Sequence, residues 1–210
     1  MLYQFGLFRY GENNSNISPI IFISGGSMGI RQWVIRCISS LFLSCTLVTG
    51  VCSAADFSAG PVFEDYGKKV RVEGVKFNAN AQFKVAFDVA KGAEPGTLNR
   101  QFDSLARFIN MHVASGVPAE NIELALVVHG SATLDLLADP AYQQKQGANN
   151  ANIALLNALM ANQVRVIVCG QSAAAHGYAN EAFLPGVEVA LSAMSAHALL
   201  QQQGYTLNPF

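Results

Sequence analysis

The chain has 210 residues, 51% of them apolar and 13% charged, with a formal net charge of −1. These proportions fit one globular domain and exclude an intrinsically disordered chain. They also leave no basic footprint for a nucleic-acid partner.

The first 55 residues read as targeting rather than fold. No acidic residue lies between Asn13 and Ala55, Arg31 and Arg36 precede the run CISSLFLSCTLVTGV, and the small-residue segment CSAAD follows. A basic segment, about fifteen mostly apolar residues and then small residues make the pattern of a secretory signal peptide, here cut after Ala54 or Ala55. The run falls short of the ~20 apolar residues that cross a bilayer and contains several Ser and Thr, which favours a processed leader over an anchor. On this reading residues 28–55 are the signal peptide, starting at Met28. Residues 1–27 are then a start-site extension, and the mature protein is periplasmic. A lipoprotein signal is weak, because Val51 precedes Cys52.

Removal of the leader takes Cys37, Cys45 and Cys52 with it and leaves Cys169 as the single thiol of the mature chain, so no internal disulfide is expected. From Asp56 onward ten Lys and Arg face thirteen Asp and Glu, a net charge of −3.

Residues 56–82 form an N-terminal extension or hairpin. Within VRVEGVKFNANAQFKVAFDV, residues 70–89, apolar positions recur with period two through Val75, Phe77, Ala79, Ala81, Phe83, Val85 and Phe87, which predicts strand, with a first core strand over Phe83–Val89. GTLNRQFDSLARFINMHVASGVP predicts a helix capped by Thr97, with Leu98, Phe102, Leu105, Ile109 and Val113 on one face and a stop at Gly116 and Pro118. IELALVVHG is apolar on both faces, as in a strand covered by helices on both sides. A helix over NNANIALLNALMAN leads into the strand VRVIVCG, and the strand GVEVALS leads into a helix over SAMSAHALLQQQG. Strands alternating with helices predict an α/β fold: a three-layer sandwich around a mainly parallel open sheet, flavodoxin-like in appearance, over residues 83–210.

Chemistry is sought where such strands end, since ligands bind beyond the carboxyl edge of an open parallel sheet. His129 ends one strand, Cys169 the next and Ser192 a third, so a parallel arrangement puts all three near one rim. After Cys169, GQSAAAHG reads as a tight turn into a short helix, whose N–H groups favour thiolate over thiol. Gly170 permits close approach, and the Gln171 and Ser172 side chains could donate to a sulfur anion. The competing reading is an inert, buried core thiol. Position alone leaves both open.

The remaining signals are weaker. His129 and His176 could flank Cys169 as proton-transfer partners or as soft-metal ligands with the thiolate, but three scattered ligands make a poor metal signature, and none is expected. His112 reads as a capping or surface residue, and His197 as a partly buried packing residue with a satisfied hydrogen bond. Asp135 and Asp139 read as solvated. Ser172 lacks the glycines of a hydrolase elbow, with Ala174 at the second place. ISGGSMGI, residues 23–30, lies inside the targeting region and carries no weight as a nucleotide turn, so no cofactor is implied.

The succession ALVVHG, then NANIALLNALMANQVRVIVCGQSAAAHG, then LPGVEVALSAMSAHALLQQQGY resembles the DsrE/DsrF-like family of small sulfur-relay proteins, which includes the TusD type. The resemblance runs from about Phe83 to Phe210, with the block at 164–177 its most specific part. It implies a parallel α/β sandwich assembled as a trimer or hexamer. It also implies that Cys169 accepts a sulfur atom and passes it on as a persulfide, with donor and acceptor proteins or small sulfur compounds as partners. The familiar relays work in the cytoplasm, whereas this chain carries an export pattern.

The resulting expectation is a periplasmic sulfur-carrier or persulfide-transfer protein, with Cys169 as acceptor and His129 as proton partner. Gly170, Gln171 and Ser172 form its anion cradle, and His176 and Ser192 stand beside it. The alternative is a non-catalytic oligomeric module that holds a small ligand or soft metal at the same rim.

Overall fold

The computed structural model describes residues 56–208. The leader and start-site readings of residues 1–55 lie outside the described residues.

Five strands form one sheet: β1 (Phe83–Val89), β2 (Ile122–Val128), β3 (Arg165–Cys169), β4 (Glu188–Ala190) and β5 (Thr206–Asn208). Their order is β4-β3-β2-β1-β5, and every pairing is parallel. The helices are α1 (Arg100–Ala114), α2 (Asp139–Gln146), α3 (Ile153–Ala161), α4 (Gly170–His176) and α5 (Ala193–Gln202). The chain steps from β1 to β4 in one direction, and α5 then crosses back to set β5 on the far side of β1. Right-handed crossovers place the helices of the outward steps on one face of the sheet and the returning helix on the other.

The core divides accordingly. Val85, Phe87 and Val89, with Leu124, Leu126, Val128, Val166 and Val168, pack against Phe102, Leu105 and Ile109 of α1 and Leu155, Leu156 and Leu159 of α3. The alternate residues Ala86, Ala125, Val127, Ile167 and Cys169 face Ala193, Ala196 and Leu200 of α5. The period-two alternation of each strand therefore sorts large side chains to one face and smaller ones to the other. The α/β sandwich expected from the sequence is present, with one of its outer layers a single helix.

Three local expectations are overturned. Residues 70–82 form no strand, although their apolar residues alternate; Val72 and Val75 are 66% and 50% exposed. Both edges of β1 are taken, by β2 and by β5, so no free edge is left for a hairpin partner. Phe77 instead packs on Phe83 and His112, with ring centroids 5.5 and 5.1 Å away. The cap of α1 is Asn99, whose Oδ1 accepts from Gln101 N at 2.9 Å, while Thr97 donates to the Glu94 carbonyl. His112, expected at a cap or on the surface, donates from Nδ1 to the Phe108 carbonyl at 2.7 Å and stacks among Phe77, Phe83 and Phe108.

The segment before residue 70 is strapped to α1. Asn110, fully buried, accepts from the N–H groups of Val62 and Phe63 and donates to the carbonyls of Phe63, Tyr66 and Gly67. Asp103 accepts from Gly67 N at 2.7 Å. Phe63 enters the core beneath these bonds.

Asp135 is also not solvated. It is 1% exposed and accepts from Ala93 N at 2.9 Å and from Asn99 Nδ2 at 2.8 Å. Burial raises its carboxyl above the ordinary value, against the lowering effect of those two donors. The polar look of its sequence neighbourhood hid a segment that folds under the loop after β1. Asp139 accepts from Asn150 N at 2.8 Å and is partly buried.

Candidate functional site

Cys169 closes β3 and stands at the cap position before α4, in extended conformation. Helix α4 begins directly at Gly170, without an intervening turn. A Cβ on Gly170 would lie 2.7 Å from the Ala190 carbonyl oxygen and 3.4 Å from that of Leu191, so only glycine lets the end of β4 approach. Ala190 is the register partner of Cys169, and the turn that follows brings the start of α5 over the sulfur.

That start is fixed by Ser192. Its Oγ accepts from Ser195 N at 3.0 Å and shares a hydrogen with Ser195 Oγ, which caps α5 and holds Ala193 N–H at the front of the helix.

Burial acts to raise the Cys169 thiol pKa. It is outweighed by hydrogen bonding from the Ser172 hydroxyl and from the N–H groups of Ser172, Ala193 and Gln171, so the pKa lies below its ordinary value. Two of these N–H groups come from α4 and one from α5, so neither helix makes the cradle alone. Gln171 contributes through its backbone, with its side chain exposed. The residue is 5% exposed and is a free cysteine. The thiol is therefore activated and covered at the same time.

The cradle is tied to the neighbouring strand through Gly130, whose N–H donates to Ser172 Oγ at 3.1 Å. Its carbonyl accepts from His176 Nε2 at 3.0 Å. Ser172 and His176, four residues apart on one face of α4, thus grip both backbone polar groups of one residue. With its oxygen accepting from Gly130, the Ser172 hydroxyl has its single hydrogen free for the sulfur.

Of the residues expected at the rim, Gln171 and Ser172 donate to the Cys169 sulfur, while Gly170 admits the end of β4 and Ser192 caps the helix that brings Ala193 to it. His176 acts one step away, through Gly130. His129 is turned to Asp88, with its Nε2 3.2 Å from Oδ1 and 3.3 Å from Oδ2. His197 also bonds Asp88, with 2.8 Å between Nε2 and Oδ1, while its Nδ1 is buried without a partner, so only one nitrogen is satisfied as the sequence reading expected. Asp88 was not singled out from the sequence. The available signal was an acidic residue near the carboxyl end of the apolar strand VAFDV, the edge where ligands bind.

Two cavities, of about 670 and 510 Å³, lie elsewhere. The first is enclosed by residues 69–77 and the end of α1, and the second opens by Phe83, Glu123 and Thr206. Neither reaches the sulfur. Among the described residues no group of three or more His, Cys, Asp or Glu is placed to hold a metal ion. None of the described helices is long and apolar enough to cross a membrane.

Comparison with known proteins bears on the same part of the chain. The model of the DsrE/DsrF-like family matches residues 84–209. A solved structure described as a protein of unknown function from Methanobacterium thermoautotrophicum is similar at 16% identity with a TM-score of 0.44, covering 61% of this chain and 100% of its own. No curated protein matches the chain. The family match takes in the whole rim, from Asp88 through His129 and Cys169 to His197, and the chain belongs to the DsrE/DsrF-like family, whose association is with sulfur relay.

Proposed function

We propose that the protein is a sulfur carrier that holds sulfane sulfur as a persulfide on Cys169. The observation that carries this reading is the sulfur's surroundings: a hydroxyl and three backbone N–H groups, drawn from two helices, favour the thiolate in spite of burial. An inert core thiol has no need of such donors. Membership of a family associated with sulfur relay supports the same chemistry.

The step balances without an external oxidant when the donor already holds sulfane sulfur. The Cys169 thiolate attacks the outer sulfur of thiosulfate, the S–S bond of thiosulfate breaks, sulfite leaves, and a persulfide anion remains on Cys169. The same donors then stabilise a negative sulfur one bond further out.

Burial stands against easy access. The β4–α5 turn covers the sulfur, and a donor has to displace it. Leu191 and Met194 at that turn are 75% and 81% exposed, so among the described residues little packs against their side chains. The export pattern puts this exchange in the periplasm. A homo-oligomer, as the family resemblance implies, would cover these apolar side chains with a second copy of the chain.

The test is intact mass of the protein after treatment with thiosulfate or polysulfide, beside Cys169→Ser. A gain of one sulfur, about 32 Da, on the wild type alone and removable by reductant is the expected result. No gain, with a thiol that also resists a small alkylating reagent, would show that Cys169 is a packed core residue.

A further inference from the structure

The rim beside Cys169 carries three titratable side chains that the sulfur's cradle leaves unused: Asp88 on β1, His129 after β2 and His197 on α5. Asp88 projects toward the α5 face, since Ala86 two residues earlier packs there. Both histidines approach its carboxylate through Nε2, at 2.8 Å for His197 and 3.2 Å for His129. A carboxylate only accepts, so Nε2 carries the hydrogen in both rings and the neutral form of each has a bare Nδ1.

The two rings then differ. The His197 side chain is 15% exposed, and its Nδ1 is buried without a partner. A second proton there would create a buried N–H with nothing to accept it, a costly arrangement. The His129 side chain is 32% exposed, and among the described residues its Nδ1 makes no hydrogen bond. Of the two, only His129 presents an Nδ1 that is not buried and that an incoming group can reach.

His129 also stands next to the sulfur-bearing strand. It directly follows Val128, Cys169 directly follows Val168, and those two are register partners. The ladder continues past Val128, since His129 N donates to Val89 O at 3.0 Å, and the backbone at His129 stays extended. Val127 and Ile167, two residues earlier, face α5, so His129 and Cys169 share that face on strands about 4.8 Å apart. His176, the other titratable group at this rim, is engaged on Gly130.

We infer that His129 shuttles the proton in the unloading of the persulfide, that Asp88 is its positioning residue, and that His197 braces Asp88. This rests on the sulfur-carrier reading. An incoming thiol gives its proton to His129 Nδ1, and the resulting thiolate attacks the outer sulfur of the Cys169 persulfide. The S–S bond to Cys169 breaks, Cys169 leaves as the thiolate its cradle favours, and His129 returns the proton to the new persulfide. No net oxidation occurs, and the proton count is unchanged. Loading from thiosulfate needs no such shuttle, because both partners are already anions.

The experiment loads the full chain with thiosulfate and follows the loss of the added sulfur by intact mass. Two acceptors of similar size are compared at neutral pH: 2-mercaptoethanol, mostly protonated, and 2,2,2-trifluoroethanethiol, far more ionised. His129→Gln is expected to load normally but to unload to 2-mercaptoethanol about 100-fold more slowly, with a much smaller loss toward the acidic thiol. Asp88→Asn should show the same selectivity at smaller amplitude, and Asp88→Glu should recover part of it. Equal slowing toward both thiols would mark His129 as a packing residue, and unchanged unloading would also overturn the inference. If Asp88→Asn does not fold, His129→Gln, at a partly exposed position, carries the test alone. Failure of the wild type to load at all would overturn the carrier reading, and this inference with it.

Discussion

The two faces of the sheet contrast in what they bury. Toward α1 and α3 the strands present Phe87, Leu124, Leu126, Val128 and Val168, all 2% exposed or less, against Phe102, Leu105, Leu155, Leu156 and Leu159, all fully buried. Toward α5 they present Ala86, Ala125, Val127, Ile167 and Cys169, with Asp88 and His129 at the same edge. One face is filled with large aliphatic and aromatic groups. The other has small groups, one helix and three of the titratable side chains of the rim, Asp88, His129 and His197. A small-residue face lets α5 lie close, which brings Ala193 N–H to the sulfur. Stability and chemistry are thereby assigned to opposite sides of the same five strands.

Changes on either side should separate the two properties. Phe102→Ala, on the thick face, is expected to cost about 3–5 kcal/mol of stability in denaturant unfolding while leaving Cys169 alkylation of the folded protein unchanged. A parallel loss of thiol reactivity under folding conditions would show that the two faces are not independent.

Gly170→Ala is expected to be intermediate, at about 1–3 kcal/mol, because its methyl group meets the Ala190 carbonyl at 2.7 Å and the end of β4 must shift. Since the shift moves the β4–α5 turn off the sulfur, alkylation of Cys169 should become faster even as stability falls. A slower reaction would mean that the turn is not what covers the thiol.

Ser172→Ala should have the smallest effect on folding, about 1 kcal/mol, yet a clear one on the thiol. Removal of the hydroxyl raises the Cys169 pKa toward its ordinary value, and alkylation at neutral pH should fall about 3- to 10-fold. The sign extends to stability. A thiol with a lowered folded pKa contributes stabilisation that is present above the unfolded thiol's pKa and is lost as pH falls through the lowered value. The variant should lose part of that pH dependence, as measured by unfolding midpoints across a pH series.

Much of this architecture was legible in the sequence. Apolar periodicity located β1 at Phe83–Val89, placed α1 within a residue or two of its start, and set strands ending at His129, one residue beyond the observed end, and at Cys169. It failed at residues 70–82, where alternation occurs in a segment that finds no strand edge to join. It failed again at Asp135, where a polar-looking stretch is pulled beneath the loop after β1 by Asn99 and Ala93. In both cases the deciding partner lies dozens of residues away in the chain, and local patterning carries no record of it.

The site divides in the same way. Cys169 with Gly170 and Ser172 was visible from a strand end followed by small residues, because backbone geometry after a parallel strand is largely local. Ala193 N–H at the sulfur, the Gly130 backbone held by Ser172 and His176, and Asp88 shared by His129 and His197 were not visible. Asp88 and His197 are 109 residues apart and meet only because α5 crosses back over the small-residue face. The sequence by itself determined which residues form strands and helices and which thiol ends a strand, since these follow from periodicity and backbone preference. Only the tertiary structure decided which donors surround that thiol and which histidine keeps an unburied free nitrogen, since those depend on the order in which the strands assemble.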